Sequence, residues 1–301
     1  MMKSFNIPIP NRAQVITGWT AVACSAVLAS LFAFWGAIEN FHEGWYHREL
    51  WRNLVLMMVQ YLPWMFLPMI AGLLALWNRI SGIILHVAFA IGAFWLFGFR
   101  STGAHWIAIP ILLLAVFYWC GRPVPVKWAR RSLIIVPLLT AVISGAHPGW
   151  RVLTRPVVVD GSLRKIQGNG VNLTWAPVGP GWDEKEMSWY EAQRRCNFLT
   201  VDGMMLASQP VGVWRLSTVD EAVRTMIWRG RNAGGRWDGV ARRAFFRITP
   251  DKEAPLWNPY SPVIYRWTAD ELENERAYMV AYNGFVNSVS KKVWYGCRCV
   301  K

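Results

Sequence analysis

Long apolar stretches fill the first half of the chain, whereas the second half alternates helix-like and strand-like patterns. Five stretches have no Asp, Glu, Lys or Arg in their interior: 14–38, 53–77, 80–99, 104–120 and 132–148. Each has about the 17–25 residues that a membrane-spanning helix needs. The pattern predicts an all-α transmembrane domain of about five helices over residues 1–148. Four or six spans stay open, because the third and fourth stretches are short and separated only by residues 100–103.

The distribution of charge divides the chain in the same place. Residues 1–148 contain 10 Lys and Arg and 3 Asp and Glu, whereas residues 149–301 contain 22 and 15. This contrast predicts a membrane half followed by a water-soluble half. Aromatic residues at the ends of the stretches are typical of the membrane interface.

Basic residues in the short loops predict the orientation of the chain, because cytoplasmic loops are enriched in Lys and Arg. With five spans, the side of the N-terminus has Lys3, Arg12, Arg79, Arg122, Lys127, Arg130 and Arg131. The other side has Arg48, Arg52 and Arg100. We therefore expect an integral protein of a bacterial inner or plasma membrane, with a cytoplasmic N-terminus and an extracytoplasmic C-terminal domain.

Histidine is the main ionisable residue of the apolar stretches. His86, His105 and His147 lie on different stretches and are interpreted as interhelical or interfacial side chains, although paired haem ligands stay open. The loop at 39–50 contains His42, Glu43 and His47, but its histidines are five residues apart, whereas a zinc-protease helix needs a spacing of four. We interpret it as an interfacial loop, and no metal or cofactor is predicted.

The second half predicts an α+β domain. Residues 170–178 alternate as in a strand, and Ser188 with Glu191 forms a capping box that predicts a helix over about 189–200. Thr218 with Glu221 predicts a second helix that stops near Gly230. Residues from 261 onward are strand-like, with an Asn-Gly turn at 283–284. The predicted boundaries are a connector at 149–167 and a domain at 168–301.

Several segments of this half resemble a known family. They are SWYEAQRRCNFL (188–199), VWRLSTVDEA (213–222), YRWTADE (265–271), AYMVAYNG (277–284) and CRCVK (297–301). They are similar to the C-terminal domains of Lcl-type collagen-like adhesins, within the broader set that includes the formylglycine-generating (sulfatase-modifying factor) enzymes. Ser217 stands where that family usually has Pro, and Arg195 departs from the residue usual before the helix cysteine.

The resemblance covers residues 168–301 and does not extend to the membrane half. It implies a C-type-lectin-like fold, in which two helices lie around antiparallel strands and the two chain ends are close together. It also implies a disulfide bond between Cys196 and Cys299, which requires an oxidising compartment. Cys297 is then left over, either as a reactive or intersubunit thiol or attachment point, or as a buried, unpaired side chain.

The soluble half lacks the usual catalytic groups. No histidine follows His147, so a Ser-His-Asp or Cys-His arrangement has no base. The copper-binding cysteine pair of the formylglycine-generating enzymes does not map onto this sequence. We therefore expect a non-catalytic binding or scaffolding protein, including an accessory subunit of a larger membrane complex. The alternative is a divergent formylglycine-generating-type copper oxidase tethered to the membrane.

One basic, aromatic stretch, 227–248, is the candidate binding surface. Its candidate contact residues are Arg229, Arg231, Arg236, Arg242 and Arg243. On a domain beside a bilayer, such a stretch favours anionic lipid headgroups or an acidic partner over nucleic acid; a solvated loop is the alternative. The expected partners are the lipid bilayer and other membrane-protein subunits, or an extracytoplasmic protein or glycan.

Overall fold

The computed structural model describes residues 10–43, 45–157, 161–183 and 185–301. The chain forms two compact units. The helical unit comprises Met1–His42 and Glu49–Trp150, and the C-terminal unit comprises Glu43–Arg48 and Arg151–Lys301. The loop after the first helix therefore belongs to the C-terminal unit.

The described residues of the first part of the chain form helices joined by short loops. Its helices are α1 (Arg12–His42), α2 (Leu50–Leu56), α3 (Pro63–Trp77), α4 (Arg79–Phe97), α5 (Thr102–Cys120) and α6 (Val126–Leu153), and a π-helical turn (Met57–Tyr61) joins α2 to α3. Within the described residues, four helices are long and apolar enough to cross a membrane, namely α1, α4, α5 and α6. The segment from α2 to α3 makes a fifth if it counts as one span. These helices are compatible with an integral membrane protein.

The second apolar stretch, predicted over 53–77, is not one straight helix. Leu50–Tyr61 and Pro63–Trp77 are inclined to each other by 62°. Pro63 begins α3 and has no N–H to continue the hydrogen-bond ladder of the preceding helix. The π-helical turn just before it is a second known cause of a sharp bend. Hydropathy stays high across the break, so the apolar pattern does not reveal it.

Many small residues lie inside the helical unit, and many large apolar ones face outward. Ala21 and Ala29 of α1 are fully buried, whereas Trp95 is 82% exposed. A Cβ placed on Gly121 would lie 2.4 Å from the backbone nitrogen of Gly18, so the two segments touch through their backbones. Close approach through small residues is typical of helices that pack in lipid, where large apolar side chains gain little by turning inward.

The C-terminal unit contains small antiparallel sheets and two helices. Its strands are β1 (Arg164–Gly168), β2 (Val171–Trp175), β3 (Arg215–Leu216), β4 (Ile227–Trp228), β5 (Arg231–Asn232), β6 (Arg236–Asp238), β7 (Arg243–Phe245), β8 (Tyr265–Glu273), β9 (Arg276–Ala281), β10 (Val286–Ser290) and β11 (Cys299–Val300), and its helices are α7 (Trp189–Asn197) and α8 (Val219–Thr225). One sheet has the strand order β1-β2-β11-β3 and another β10-β9-β8, while β4-β5 and β6-β7 are separate hairpins.

Both helices begin at their predicted caps. The side chain of Ser188 accepts a hydrogen bond from the backbone of Glu191 at the start of α7, and Thr218 with Glu221 forms a complete capping box at the start of α8. However, α8 ends at Thr225 and does not continue toward Gly230 as expected. Met226 is extended, and the next two residues form β4, so the apolar stripe passes from a helix into a strand.

The segment predicted as a connector, 149–167, has regular structure at both ends. Helix α6 continues to Leu153, and β1 begins at Arg164. Residues 158–160 of the predicted connector lie outside the described residues. Helix α6 extends past the apolar stretch, and β1 lacks a strong alternation of apolar and polar residues. The hydrophobic pattern therefore gives little indication of either.

A disulfide bond joins Cys196 to Cys299, the pair that the resemblance implies. It links α7 to β11, whose Val300 pairs with Trp175 of β2 on one side and with Arg215 of β3 on the other. The two cysteines are 103 residues apart in sequence, and their Cα atoms are 5.4 Å apart. The bond therefore fastens the last strand of the unit to its first helix.

Arg298, the residue just before β11, holds this end of the chain by further contacts. The side chain is buried, and its Nε and Nη2 donate to the carbonyl oxygen of Ala176 at 3.2 and 2.8 Å. Its guanidinium carbon lies 3.3 Å from the centre of the Trp182 ring. A buried guanidinium needs such partners, because its charge is costly to remove from water.

Removing the disulfide should weaken the C-terminal unit. In the double variant Cys196→Ala/Cys299→Ala, loss of a cross-link over about 100 residues lowers the free energy of unfolding by about 4–5 kcal/mol in the chain-entropy model. We expect the unfolding midpoint to fall by about 10 °C or more, measured by tryptophan fluorescence of the full-length protein in detergent. Dithiothreitol should lower the wild-type midpoint and leave the variant unaffected. Cys24→Ala, at an exposed thiol of the helical unit, is the control, and equal midpoints for all three proteins would contradict the expectation.

Candidate functional site

The arginine-rich segment 227–248 folds into two short hairpins of the C-terminal unit. Strand β4 pairs with β5, and β6 pairs with β7, both antiparallel. The segment contains six arginines and one acidic residue, Asp238. Five exposed arginines, which we call the arginine surface, are Arg231, Arg236, Arg242, Arg243 and Arg247.

The sixth arginine, Arg229, lies in the turn between β4 and β5. Arg229 and Gly230 have positive φ angles of 49° and 72°, as a two-residue hairpin turn requires. The buried carboxylate of Glu253 accepts hydrogen bonds from the backbone nitrogens of both residues, at 2.7 and 2.9 Å. The Arg229 side chain donates to Thr154 Oγ1 at 2.9 Å and lies over the Trp228 ring. Arg229 is therefore bound to its own unit.

The register of β6 and β7 separates a core face from an outer face. Arg236 pairs with Phe245, and Trp237 pairs with Ala244. Trp237 and Ala244 pack on the apolar cluster around α8. Because side chains alternate along a strand, Arg236, Phe245 and Arg243 share the outer face. The guanidinium carbons of Arg236 and Arg243 lie 5.6 and 5.5 Å from the centre of the Phe245 ring.

The tip of this hairpin is apolar. Val240 is 97% exposed, the highest exposure among the large hydrophobic side chains described. Asp238 Oδ1 accepts hydrogen bonds from the backbone nitrogens of Val240 and Ala241 at 3.0 and 2.9 Å. The one carboxylate of the segment thus stabilises the turn, while the neighbouring Arg242 and Arg243 stay exposed.

Several arginines elsewhere in the unit form an ion pair with a carboxylate. Examples are Arg155 with Asp251, Arg195 with Asp183, Arg215 with Glu221, and Arg224 with Asp220. Across the parts of the chain that the structure describes, none of the five arginines of the arginine surface forms an ion pair. Their charge is therefore not neutralised internally, and the surface can attract an anion from outside.

The five predicted contact residues lie on two different hairpins. Arg236, Arg242 and Arg243 share one hairpin, whereas Arg229 and Arg231 lie on the other. Phe245 and Val240 were not among the predicted contact residues. A signal was present, since the Asp-Gly pair at 238–239 marks a turn and Val240 follows it directly.

Cys297 lies in the apolar core near the disulfide bond and has no exposed surface. Its Sγ is 3.8 Å from the sulfur of Met187, and its backbone oxygen accepts a hydrogen bond from the Arg266 guanidinium. Burial raises the pKa of Cys297 to about 11. Both the burial and the protonated state at neutral pH oppose nucleophilic reactivity of this thiol.

The histidine-containing loop is tied to the C-terminal unit through its backbone. The carbonyl oxygen of Glu43 accepts a hydrogen bond from Lys252 Nζ at 3.4 Å, and Arg48 lies over the Tyr260 ring. His42, Glu43 and His47 do not form a metal-binding group, and neither does any other set of three His, Cys, Asp or Glu side chains within the described residues.

Cys297 should resist alkylation in the folded protein. Because its folded-state pKa is raised above the unfolded value of about 8.5, its contribution to stability is complete below that pH and is lost as the pH rises toward about 11. We expect N-ethylmaleimide to leave Cys297 unmodified at about pH 7–9 and to modify it after denaturation, as mapped by mass spectrometry. A cysteine introduced as Val240→Cys should react fully under the same native conditions. Rapid modification of native Cys297 would contradict the expectation.

Comparisons with known proteins leave the family open. No protein-family model matches the chain, and no curated protein is significantly similar to it. The resemblance to the Lcl-type and formylglycine-generating domains therefore rests on the sequence segments that carry it.

Proposed function

We propose that this chain is a five-span membrane protein that displays a non-catalytic, C-type-lectin-like binding unit outside the cytoplasm. The arginine surface of that unit binds anionic lipid headgroups. The observation that carries the proposal is a set of five exposed arginines that form no ion pair within the described residues, three of which share a hairpin with an exposed apolar tip.

The proposal of five spans is supported by the composition of the C-terminal unit. Glu43–Arg48 follows α1, and Arg151–Lys301 includes the last turn of α6, yet both belong to this one unit. Two segments of one compact unit lie on the same side of a membrane. The chain must then cross an even number of times between them, which requires the bent segment from α2 to α3 to act as one span.

An extracytoplasmic position of the unit is supported by two independent features. Basic residues are in excess in the loops on the side of the N-terminus, as expected for cytoplasmic loops. The disulfide between Cys196 and Cys299 suits an oxidising compartment, because cytosolic thiols are kept reduced.

The C-type-lectin-like fold is supported by the position of the chain ends. Strand β11, the last of the unit, pairs with β2, which is close to its beginning. Two short helices accompany several antiparallel strands. These features agree with what the family resemblance implies, and the resemblance is part of the proposal.

A non-catalytic role is favoured by the chemistry of the unit's side chains. The unit has three cysteines, of which Cys196 and Cys299 are bonded to each other and Cys297 is buried. A copper oxidase of the formylglycine-generating type would need a pair of reduced cysteines, and this unit has a single one. The copper-oxidase alternative therefore rests on the family resemblance alone.

Anionic lipid is favoured over an acidic protein by the apolar tip. Membrane-binding surfaces combine an apolar group that enters the headgroup boundary with Arg or Lys that contact phosphates. Val240 is the apolar group, and Arg236, Arg242 and Arg243 are the cations closest to it on the hairpin. An arginine fork also matches phosphate oxygens in a bidentate geometry.

The topology is tested by labelling intact cells. In a Cys24→Ser/Cys120→Ser background, Val240→Cys should react with a membrane-impermeant maleimide from outside, whereas Lys127→Cys should react only after permeabilisation. The physical reason is that five spans place the start of α6, where Lys127 lies, and the C-terminal unit on opposite sides of the bilayer. Labelling of both positions from outside, or labelling of position 127 alone, would overturn the proposed topology.

Lipid contact is tested with an environment-sensitive NBD fluorophore on Val240→Cys in the same background. The full-length protein is placed in nanodiscs of phosphatidylcholine alone or mixed with phosphatidylglycerol. We expect a blue shift and brighter emission only in the anionic discs, reversed at about 1 M salt because salt screens exposed charges. The triple variant Arg236→Ala/Arg242→Ala/Arg243→Ala should lower the population in contact by up to about 100-fold, since each cation contributes about 1 kcal/mol.

A matched control distinguishes the effect of these three arginines from the effect of net charge. Lys165→Ala/Arg194→Ala/Lys292→Ala removes the same charge from exposed positions elsewhere on the unit and should keep the emission change. Equal emission in neutral and anionic discs would contradict lipid binding. An emission change that appears only when an acidic protein is added would show that the partner is an acidic protein and not the lipid.

A further inference from the structure

A cavity of about 210 Å³, partly open to the outside, lies in the helical unit between α1, α3, α4 and α5. Its walls are almost entirely apolar and include the aromatic side chains of Phe32, Trp64 and Phe89. His86 of α4 is the one ionisable side chain in the wall. The cavity therefore combines an apolar lining with a single polar group.

Glycine keeps part of this space open. Gly92 lies in the wall six residues after His86, and a Cβ placed there would meet no atom within 4 Å. Protein interiors are normally packed as densely as organic crystals. A larger apolar residue would fit at position 92 and close the space, so the sequence leaves room that the helices do not fill.

The hydrogen bonds of His86 fix which ring nitrogen can bind a ligand. His86 is 1% exposed, and its Nδ1 lies 2.7 Å from the carbonyl oxygen of Gly82. A carbonyl oxygen can only accept, so Nδ1 carries the proton, and Nε2 of the neutral ring is an acceptor. Nε2 has no hydrogen-bond partner within the described part of the chain.

The neighbouring polar group does not satisfy Nε2. The Tyr118 ring lies 5.5 Å from the His86 ring, but the Tyr118 hydroxyl donates its proton to Ser25 Oγ at 3.1 Å. Buried acceptors in proteins are nearly always paired. An unpaired imidazole nitrogen beside an open apolar cavity thus indicates a missing donor.

We propose that this cavity binds a small membrane-soluble phenol or alcohol, whose hydroxyl donates a hydrogen bond to His86 Nε2. An apolar cavity of about 150 Å³ can bind benzene, so about 210 Å³ accommodates one ring with small substituents. A water molecule needs two to four polar partners, which this wall does not offer. A charged ligand is disfavoured, because no Asp, Glu, Lys or Arg lines the cavity.

The proposal is tested with two probes of equal shape, 4-methylphenol and para-xylene, on the full-length protein in phosphatidylcholine nanodiscs. Binding is measured by the unfolding midpoint and by the ¹⁵N signal of His86 Nε2. One net hydrogen bond predicts that 4-methylphenol binds about three- to ten-fold more tightly, after correction for partition into protein-free discs. Only 4-methylphenol should shift the Nε2 signal.

Two variants test the contribution of the cavity volume and that of the hydrogen bond separately. Gly92→Leu fills the cavity and should abolish binding of both probes, while Val87→Leu, on the same helix but outside the wall, should leave binding unchanged. His86→Phe keeps a ring and removes the acceptor, so the two probes should then bind equally. Equal binding of both probes to the wild type, or unchanged binding in Gly92→Leu, would overturn the proposal.

Discussion

A strand of only two residues, β11, lies between β2 and β3, and the integrity of the C-terminal unit depends on what holds it there. Besides its pairing with β2 and β3, Cys299 donates to Gly181 and accepts from Ala176, both at 2.9 Å. Lys301, the next residue, exchanges two further backbone hydrogen bonds with Thr174, at 2.8 and 3.0 Å. Each such bond contributes about 0.5–1.5 kcal/mol net, whereas the disulfide contributes about 4–5 kcal/mol in the entropy model. Covalent closure therefore contributes several times as much as any one of these bonds, and the buried Arg298 next to the strand donates two hydrogen bonds to Ala176.

The arginine surface rests on this closed core through backbone hydrogen bonds. Ala233 donates to Met226 at the end of α8, and Arg247 donates to Ala233 at 3.1 Å. The core face of β6 and β7 packs on the cluster that contains α8 and Val300 of β11. The guanidinium groups are thus presented by hairpins whose backbone is fixed, and a preorganised surface loses less entropy when it binds.

The sequence predicts the parts of the structure that depend on average composition or on local hydrogen bonds. The apolar stretches correspond to long helices, and the caps at Ser188 and Thr218 correspond to the starts of α7 and α8. Pro63 indicates a kink in the second stretch, but the size of the bend there and the end of α8 at Thr225 were not predicted, because apolar residues continue across both places. Backbone geometry changes there without a change in hydropathy.

The sequence predicts which residue types the candidate sites contain, but not the contacts that those residues make. The arginines of 227–248 are visible in the sequence, but their lack of ion pairs depends on Asp238 binding turn nitrogens and on where the other carboxylates lie. Likewise, His86 is visible as a polar residue in an apolar stretch. Its unpaired Nε2 depends on Tyr118 donating to Ser25, a contact between residues 93 positions apart in sequence.

The two proposed sites differ in how their chemistry responds to conditions, and this makes them independent. No histidine follows His147, and arginine stays protonated at any physiological pH, so the charge of the arginine surface is constant. Its contact with a membrane should therefore follow ionic strength and the fraction of anionic lipid rather than pH. The cavity has no charged group to screen, and its selectivity comes from one hydrogen bond in an apolar wall. Failure of either proposal would leave the observations that support the other unchanged.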